Sequence, residues 1–158
     1  MVKFIKPKPI SEPDWERVQT YYSFYQLIKS HDFEDFKKNQ IMTHVLGHER
    51  WSFRVTGISK AACREIAKYG YRRPGAYILE RDHRTRRRAD TYKYVFANEL
   101  NLEDWWNYVW AGDETNVVTK KENRSSGTKP EEIIHLDWKE GFFEGTDVGF
   151  KVRVRTEG

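Results

Sequence analysis

Apolar positions recur first with helical spacing and later with strand spacing. Trp15, Val18, Tyr22, Tyr25 and Ile28 follow one another at three and four residues, after a Ser11-Glu12-Pro13-Asp14 stretch that supplies a cap and a first-turn proline. That spacing predicts a helix. A second helical piece covers 31–46, with Phe33, Phe36, Ile41 and Val45 as its apolar positions and Gly47 as its stop. Trp51-Ser52-Phe53-Arg54-Val55-Thr56 then alternates with period two, as a half-buried strand does. Gly57 breaks that run, Ser59 can cap a helix over 60–69, and Gly70 stands at its C′ position. Gly75 to Glu80 reads as a second strand, Thr91 to Asn98 as a third and Ile133 to Trp138 as a fourth. A short helix is expected over 100–110, with Asn101 as cap and Leu102, Trp106, Val109 and Trp110 on its buried face. The polar stretch 113–130 reads as a long mobile loop, and 141–155 as a closing hairpin that turns near Gly145-Thr146-Asp147.

From residue 51 onward this order is strand, helix, strand, strand, helix, strand. The fold class expected is therefore α+β: a ferredoxin-like βαββαβ antiparallel sheet with two helices on one face, an N-terminal helical extension and a C-terminal hairpin. Residues 1–13 hold three of the five prolines and read as an extended arm. Residues 14–158 are then a single domain, with a helical preface over 14–47 and a sheet-containing core over 51–158. No repeat stands out.

Composition narrows the class. Only 38% of the 158 residues are hydrophobic, yet 15% are aromatic and six are Trp, which points to a compact aromatic core rather than to disorder. One cysteine excludes an internal disulfide framework or a Cys-based zinc cluster. No apolar run approaches the roughly 20 residues of a membrane span, and the first residues lack a secretory apolar region. A soluble protein of a reducing, intracellular compartment, most simply the cytoplasm, is expected, with no membrane partner.

The net charge of +4 is unevenly spread. Residues 1–50 carry 8 basic and 7 acidic side chains, residues 51–100 carry 12 and 5, and residues 101–158 carry 8 and 12. The middle excess is concentrated in Arg81-Asp82-His83-Arg84-Thr85-Arg86-Arg87-Arg88, with Arg72 and Arg73 upstream. Such a run attracts phosphates or an acidic surface, and the choice of Arg over Lys favours bidentate contacts.

Phe53-Arg54-Val55-Thr56-Gly57-Ile58, Ile66-Ala67-Lys68-Tyr69-Gly70 and Tyr92-Lys93-Tyr94-Val95 resemble the first strand, first helix and third strand of RNA-recognition motifs, over about 51–138. The resemblance implies strand aromatics that stack on unpaired bases. Ala97 stands where that family places a third aromatic. Over a shorter span, Val45 to His48, Ser52 to Val55 and Gly57 to Ala61 are similar to the segment before the signature of flavin-dependent thymidylate synthases. The signature itself is absent, so no flavin contact is carried over. Arg64 to Leu79 resembles a helix-turn-helix one residue short, and Pro74-Gly75-Ala76-Tyr77 resembles the opening of a GIY-YIG nuclease that lacks its later tyrosine and arginine positions.

Other chemistry-bearing groups are sparse. His44 and His48 are four apart and could share a helix face, His135 and Asp137 share one side of a strand, and Cys63 lies among small apolar residues. Glu80, Asp82 and Asp90 flank the Arg run, as metal-binding carboxylates of a nuclease or as partners for its charge. The expectation is a non-catalytic nucleic-acid-binding protein, for RNA or another single strand, with no catalytic residues, metal or cofactor assigned. Arg84, Arg86, Arg87 and Arg88 would contact phosphate, Arg72, Arg73 and Lys93 would support them, and Phe53, Tyr92 and Tyr94 would stack where exposed, the alternative for the tyrosines being a place in the core. The alternative is an interaction subunit or inhibitor that docks an Arg/Trp surface on an acidic protein partner. A nuclease or nucleotide-modifying enzyme comes third.

Overall fold

Four of the described helices start where a side-chain oxygen accepts a free first-turn N–H, and the other two start without such a bond. The computed structural model describes residues 2–4, 12–49, 51–68, 79–124, 130, 132–137, 142–143 and 154–156, with the backbone alone at 2–4, 67, 136–137, 142–143 and 154–156. In chain order the elements are β1 (Val2–Phe4), α1 (Trp15–Ser30), α2 (Asp35–Gly47), β2 (Val55–Ser59), α3 (Lys60–Lys68), β3 (Leu79–His83), α4 (Arg88–Ala97), α5 (Leu102–Gly112), β4 (Thr115–Thr119), α6 (Lys120–Arg124), β5 (Ile133–Asp137), β6 (Phe142–Phe143) and β7 (Val154–Thr156). Asp14 caps α1 by accepting from Arg17 N at 2.8 Å, and Asn101 caps α5 by accepting from Asp104 N at 2.8 Å. Contacts gather the chain into two compact units, one of residues 10–54 and 83–114, the other of 1–9, 55–82 and 115–158.

The first unit is helical and its core is aromatic. Val18, Tyr21, Tyr25 and Ile28 of α1 meet Met42 and Leu46 of α2, Tyr92 and Val95 of α4, and Trp105, Trp106 and Val109 of α5, with Trp51 between them. Tyr25 stacks on Trp105 at 5.3 Å, and Trp51 meets Trp106 edge-on at 5.3 Å. The buried hydroxyls find acceptors, as burial demands: Tyr25 donates to the Val95 carbonyl and Tyr22 to the Leu100 carbonyl.

The second unit carries the sheet, in the order β3-β4-β2-β5, with the two-residue β6 on the outer edge of β5. β2 runs parallel to β4 and antiparallel to β5, so the sheet is mixed. Ile58, beside Val117 and Ile134, packs with Val55 against Ala62 and Ile66 of α3. The two parallel strands pass directly into helices. Ser59 accepts from Ala62 N at 3.0 Å to cap α3, and Thr119 and Glu122 form a reciprocal capping box on α6. Ser59 also donates to Glu122 at 2.8 Å, so one buried carboxylate ties the two helix starts together.

The α+β class stands, while several elements differ from expectation. Thr91 to Asn98 is not a strand: α4 occupies it, because Arg88, Thr91, Tyr92 and Val95 are the buried positions and their spacing is helical. The stretch 113–130 is not a loop throughout, since it holds β4 and α6. The first strand starts at Val55, after a turn over 51–53. Positions 75–78 lie outside the described residues, and β3 starts at Leu79. Within 141–155 the described strands do not pair with each other: β6 joins β5, and β7 joins β1. No described helix is long and apolar enough to cross a membrane.

Candidate functional site

The arginine run enters α4, and the turn of the helix sends consecutive side chains to different places. Arg87 is the N-cap residue, points to solvent and pairs with Asp90 at 3.0 Å. Arg84 is exposed and reaches Glu114 at 3.6 Å. Arg86 turns back across α5, donating to the Tyr108 carbonyl at 2.9 Å and to Thr91 Oγ1 at 3.1 Å. Arg88 is only 8% exposed, so it cannot be the phosphate contact the sequence suggested. Its guanidinium lies over the Phe53 ring at 4.2 Å and donates to Ser52 Oγ and to the Tyr92 hydroxyl.

Phe53 and Tyr92 likewise leave the set of stacking candidates. Tyr92 is 2% exposed and belongs to the core, where burial pushes its phenol up to about 12. Phe53 is half-buried in a left-handed backbone conformation (φ 53°), an uncommon choice for a residue with a Cβ. Its N–H donates to Asp113 at 2.9 Å, which anchors that turn. Burial raises the Asp113 carboxyl, and the charges of Arg88 and Arg54 with the Phe53 N–H oppose that rise. Arg54 is fully buried over Trp110 (3.7 Å) and donates to the Trp110 carbonyl and to Glu114. These groups form an internal charged cluster, whose desolvation cost is offset by one another's fields and hydrogen bonds. They position the turn and α4.

Tyr94 is different. On α4 it shares the solvent side with Asp90, Lys93 and Ala97, and it is 42% exposed. Its ring stacks on Tyr108 of α5 with centroids 4.2 Å apart and planes within 19°. The Arg86 guanidinium lies 3.6 Å from the same Tyr108 centroid. Two groups so close to one ring cannot share a face, so Tyr108 is sandwiched between Arg86 and Tyr94. The outer face of Tyr94 is left as the end of a three-layer stack. This stack lines a shallow, open groove of about 400 Å³. Asp104 and Asn107 stand on its α5 wall. The structure thus brings Arg86 and Tyr94 together, keeps Arg84, Arg87 and Lys93 at the surface, and removes Arg88, Tyr92 and Phe53 to the interior. Arg72 and Arg73 lie outside the described residues.

Tyr108, Asp104 and Asn107 were not among the sequence candidates. Their signal was available: Asp104, Asn107, Tyr108 and Ala111 recur at i, i+3, i+4 and i+7, one face of a helix that the sequence does show. The apolar stripe of the same helix drew attention away from it. Of the six tryptophans, Trp51, Trp105 and Trp106 are buried, Trp110 lies under Arg54, and Trp15 alone among those described is well exposed.

The remaining candidates stay apart. His44 and His48 are exposed and stack at 6.1 Å, with no third ligand beside them; among the described residues no group of three or more His, Cys, Asp and Glu could hold a metal ion. His135 is exposed on β5 next to Gly57, and the Asp137 side chain lies outside what is described. Burial raises the Cys63 thiol, the opposite of what a nucleophile needs. Glu80 pairs with Arg124 at 2.6 Å and accepts from Asn123, which hold its carboxyl low, rather than facing the Arg run. No protein-family model matches the chain, and neither does a curated protein or a solved structure.

Proposed function

We propose that the protein binds single-stranded nucleic acid, RNA or DNA, with an unpaired base stacking on Tyr94 in the groove between α4 and α5. The observation that carries this reading is the exposed tyrosine pre-stacked on Tyr108 and backed by Arg86. A tyrosine held by a second ring loses little side-chain freedom when a base arrives, and every base has a π-face to offer. Arg84, Arg87 and Lys93 are the cations left to meet phosphate. Arg84 and Arg87 pair with Glu114 and Asp90 near the surface, where ion pairs are weak enough for a phosphate to displace them. Arg88, Tyr92 and Phe53 take supporting roles. A duplex keeps its bases stacked inside and leaves Tyr94 nothing to cover.

The sheet-bearing unit is, on this proposal, a ferredoxin-like βαββαβ domain into which α4 and α5 are inserted between the second and third strands. The strand order β3-β4-β2-β5 and the helix after each of the two central strands support that topology, while the parallel β2–β4 pair departs from the all-antiparallel sheet of that fold. The likeness to RNA-recognition motifs enters at this level alone. The tyrosines that suggested it lie on a helix, so base stacking here does not use the sheet in the way that family does.

The test is fluorescence anisotropy of a labelled mixed-sequence single strand and of the matching duplex, each titrated with the full chain at several salt concentrations. The single strand is expected to bind at least tenfold more tightly. With three cations on the backbone, its logarithmic salt slope is expected near −2, from about 0.7 per neutralised phosphate. Equal binding of duplex and single strand would overturn the proposal.

One observation favours a second reading, docking on a protein. Leu27 of α1 and Phe36 of α2 are 55% and 69% exposed. The surface that such a partner would meet is then apolar, and not the Arg/Trp surface the sequence suggested.

A further inference from the structure

The groove holds more than aromatic rings. α5 presents Asp104, Asn107 and Tyr108 on one face, so a carboxylate and an amide stand within one turn of the ring on which Tyr94 stacks. Both side chains are exposed, and neither has a side-chain partner among the described residues. Asp104 uses its backbone N–H to close the Asn101 cap, which leaves its carboxylate uncommitted in the first turn of α5. Arg86 forms no ion pair with it, and its guanidinium is held instead by the Tyr108 ring, the Tyr108 carbonyl and Thr91. A base stacked on Tyr94 would therefore turn one edge toward a free carboxylate with an amide beside it.

We propose that Asp104 and Asn107 read that edge, and that the base they select is guanine. This inference rests on the stacking reading above and adds the identity of the base. The Watson–Crick edge of guanine places two donors side by side, N1–H and the exocyclic N2–H, next to the O6 acceptor. An ionised carboxylate has acceptor lone pairs alone, so it can take both donors in parallel. The Asn107 amide can then donate to O6. Adenine presents its N1 lone pair to the carboxylate, and uracil and thymine flank their one N–H with two carbonyl oxygens. Cytosine offers a single amino donor beside an acceptor. For each of these the carboxylate faces at least one unpaired acceptor, so discrimination includes a repulsive component. A pair of directional hydrogen bonds of this kind corresponds to roughly ten- to hundredfold selectivity.

The experiment uses the full chain and short uridine or thymidine single strands that carry one central guanine, inosine or adenine, with affinity read by fluorescence anisotropy. The expected order is guanine, then inosine, which lacks the N2 amino group, then adenine, with guanine about tenfold or more above adenine. Asp104→Asn is expected to remove most of that preference while leaving the adenine strand unchanged or slightly better bound. Asn107→Ala keeps the carboxylate and is expected to lower guanine and inosine binding together. Equal binding of all three strands, or a preference that Asp104→Asn leaves intact, would overturn the guanine assignment while base stacking stands. Failure of every strand to bind would remove the stacking reading and this one with it.

Discussion

Arg86, Arg87 and Arg88 are consecutive in the chain and meet three unrelated environments. One stacks on a tyrosine, one faces solvent and one is enclosed with Phe53 and Tyr92. Their substitution effects should divide accordingly. Arg88→Ala is expected to destabilise the fold by about 3 kcal/mol, because it leaves Asp113 buried with less compensating charge and the Tyr92 hydroxyl without its donors. Arg87→Ala is expected to leave the urea midpoint essentially unchanged, since its pair with Asp90 is exposed. Urea denaturation of the two variants checks both. Tyr92 supplies a pH signature at the same scale. Its folded pKa of about 12 exceeds the ordinary value of 10.0, so between them the folded state holds the proton that the unfolded state has lost. Its contribution is fully present below pH 10 and is lost as pH rises toward 12. Denaturation midpoints measured across that window should fall for the native chain and fall less for Tyr92→Phe.

The elements show what hydropathy patterning can and cannot see. Caps are local, and so Ser59 and Asn101 could be placed from sequence and are found working, whereas the first helix starts later than its proline suggests, with Asp14 as cap and Pro13 ahead of it. α4 was hidden because two of its four buried positions are Arg88 and Thr91, which any hydropathy count scores as outward-facing. What remained visible, Tyr92, Tyr94 and Phe96, alternates and imitates a strand. β4 was hidden for a related reason: Thr115 is wholly buried, and its flanks are polar. The groove could be read only in part, since pairing Tyr94 with Tyr108 requires knowing that both lie on helices that touch. The parallel pair β2 and β4 offers a direct test of the register. A Cβ added at Gly57 would come within 2.4 Å of Asn116 Oδ1 and 2.6 Å of Ile133 Cγ2. Gly57→Ala is therefore expected to cost about 1–3 kcal/mol. At Gly47, in α2, the nearest atom is an ordinary 3.7 Å away, and Gly47→Ala is expected to be neutral or stabilising by up to about 1 kcal/mol. Thermal melting of the two variants separates them.

At the scale of the whole molecule, the +4 charge changes meaning. Grouped by compact unit rather than by position in the chain, residues 10–54 and 83–114 carry 11 basic and 13 acidic side chains, a balance of −2. The sheet-bearing remainder carries 17 and 11, a balance of +6. The Arg run from Arg84 onward thus belongs to the less basic unit, and its cations already face a carboxylate, a ring or the interior. A broad electrostatic patch would give a steep salt dependence that tracks total charge; a stacking site with a few cations gives a shallow one that depends on a single ring. On the proposed reading, binding depends on that ring. The most direct test compares single-strand affinity of the native chain with Tyr94→Phe and Tyr94→Ala. Tyr94→Phe keeps the π-face and is expected to bind within about twofold of the native chain, whereas Tyr94→Ala is expected to lose about tenfold or more, as one stacked base is worth roughly 1–3 kcal/mol. Tyr94→Ala that binds as well as the native chain, in a protein that melts normally, would contradict the account.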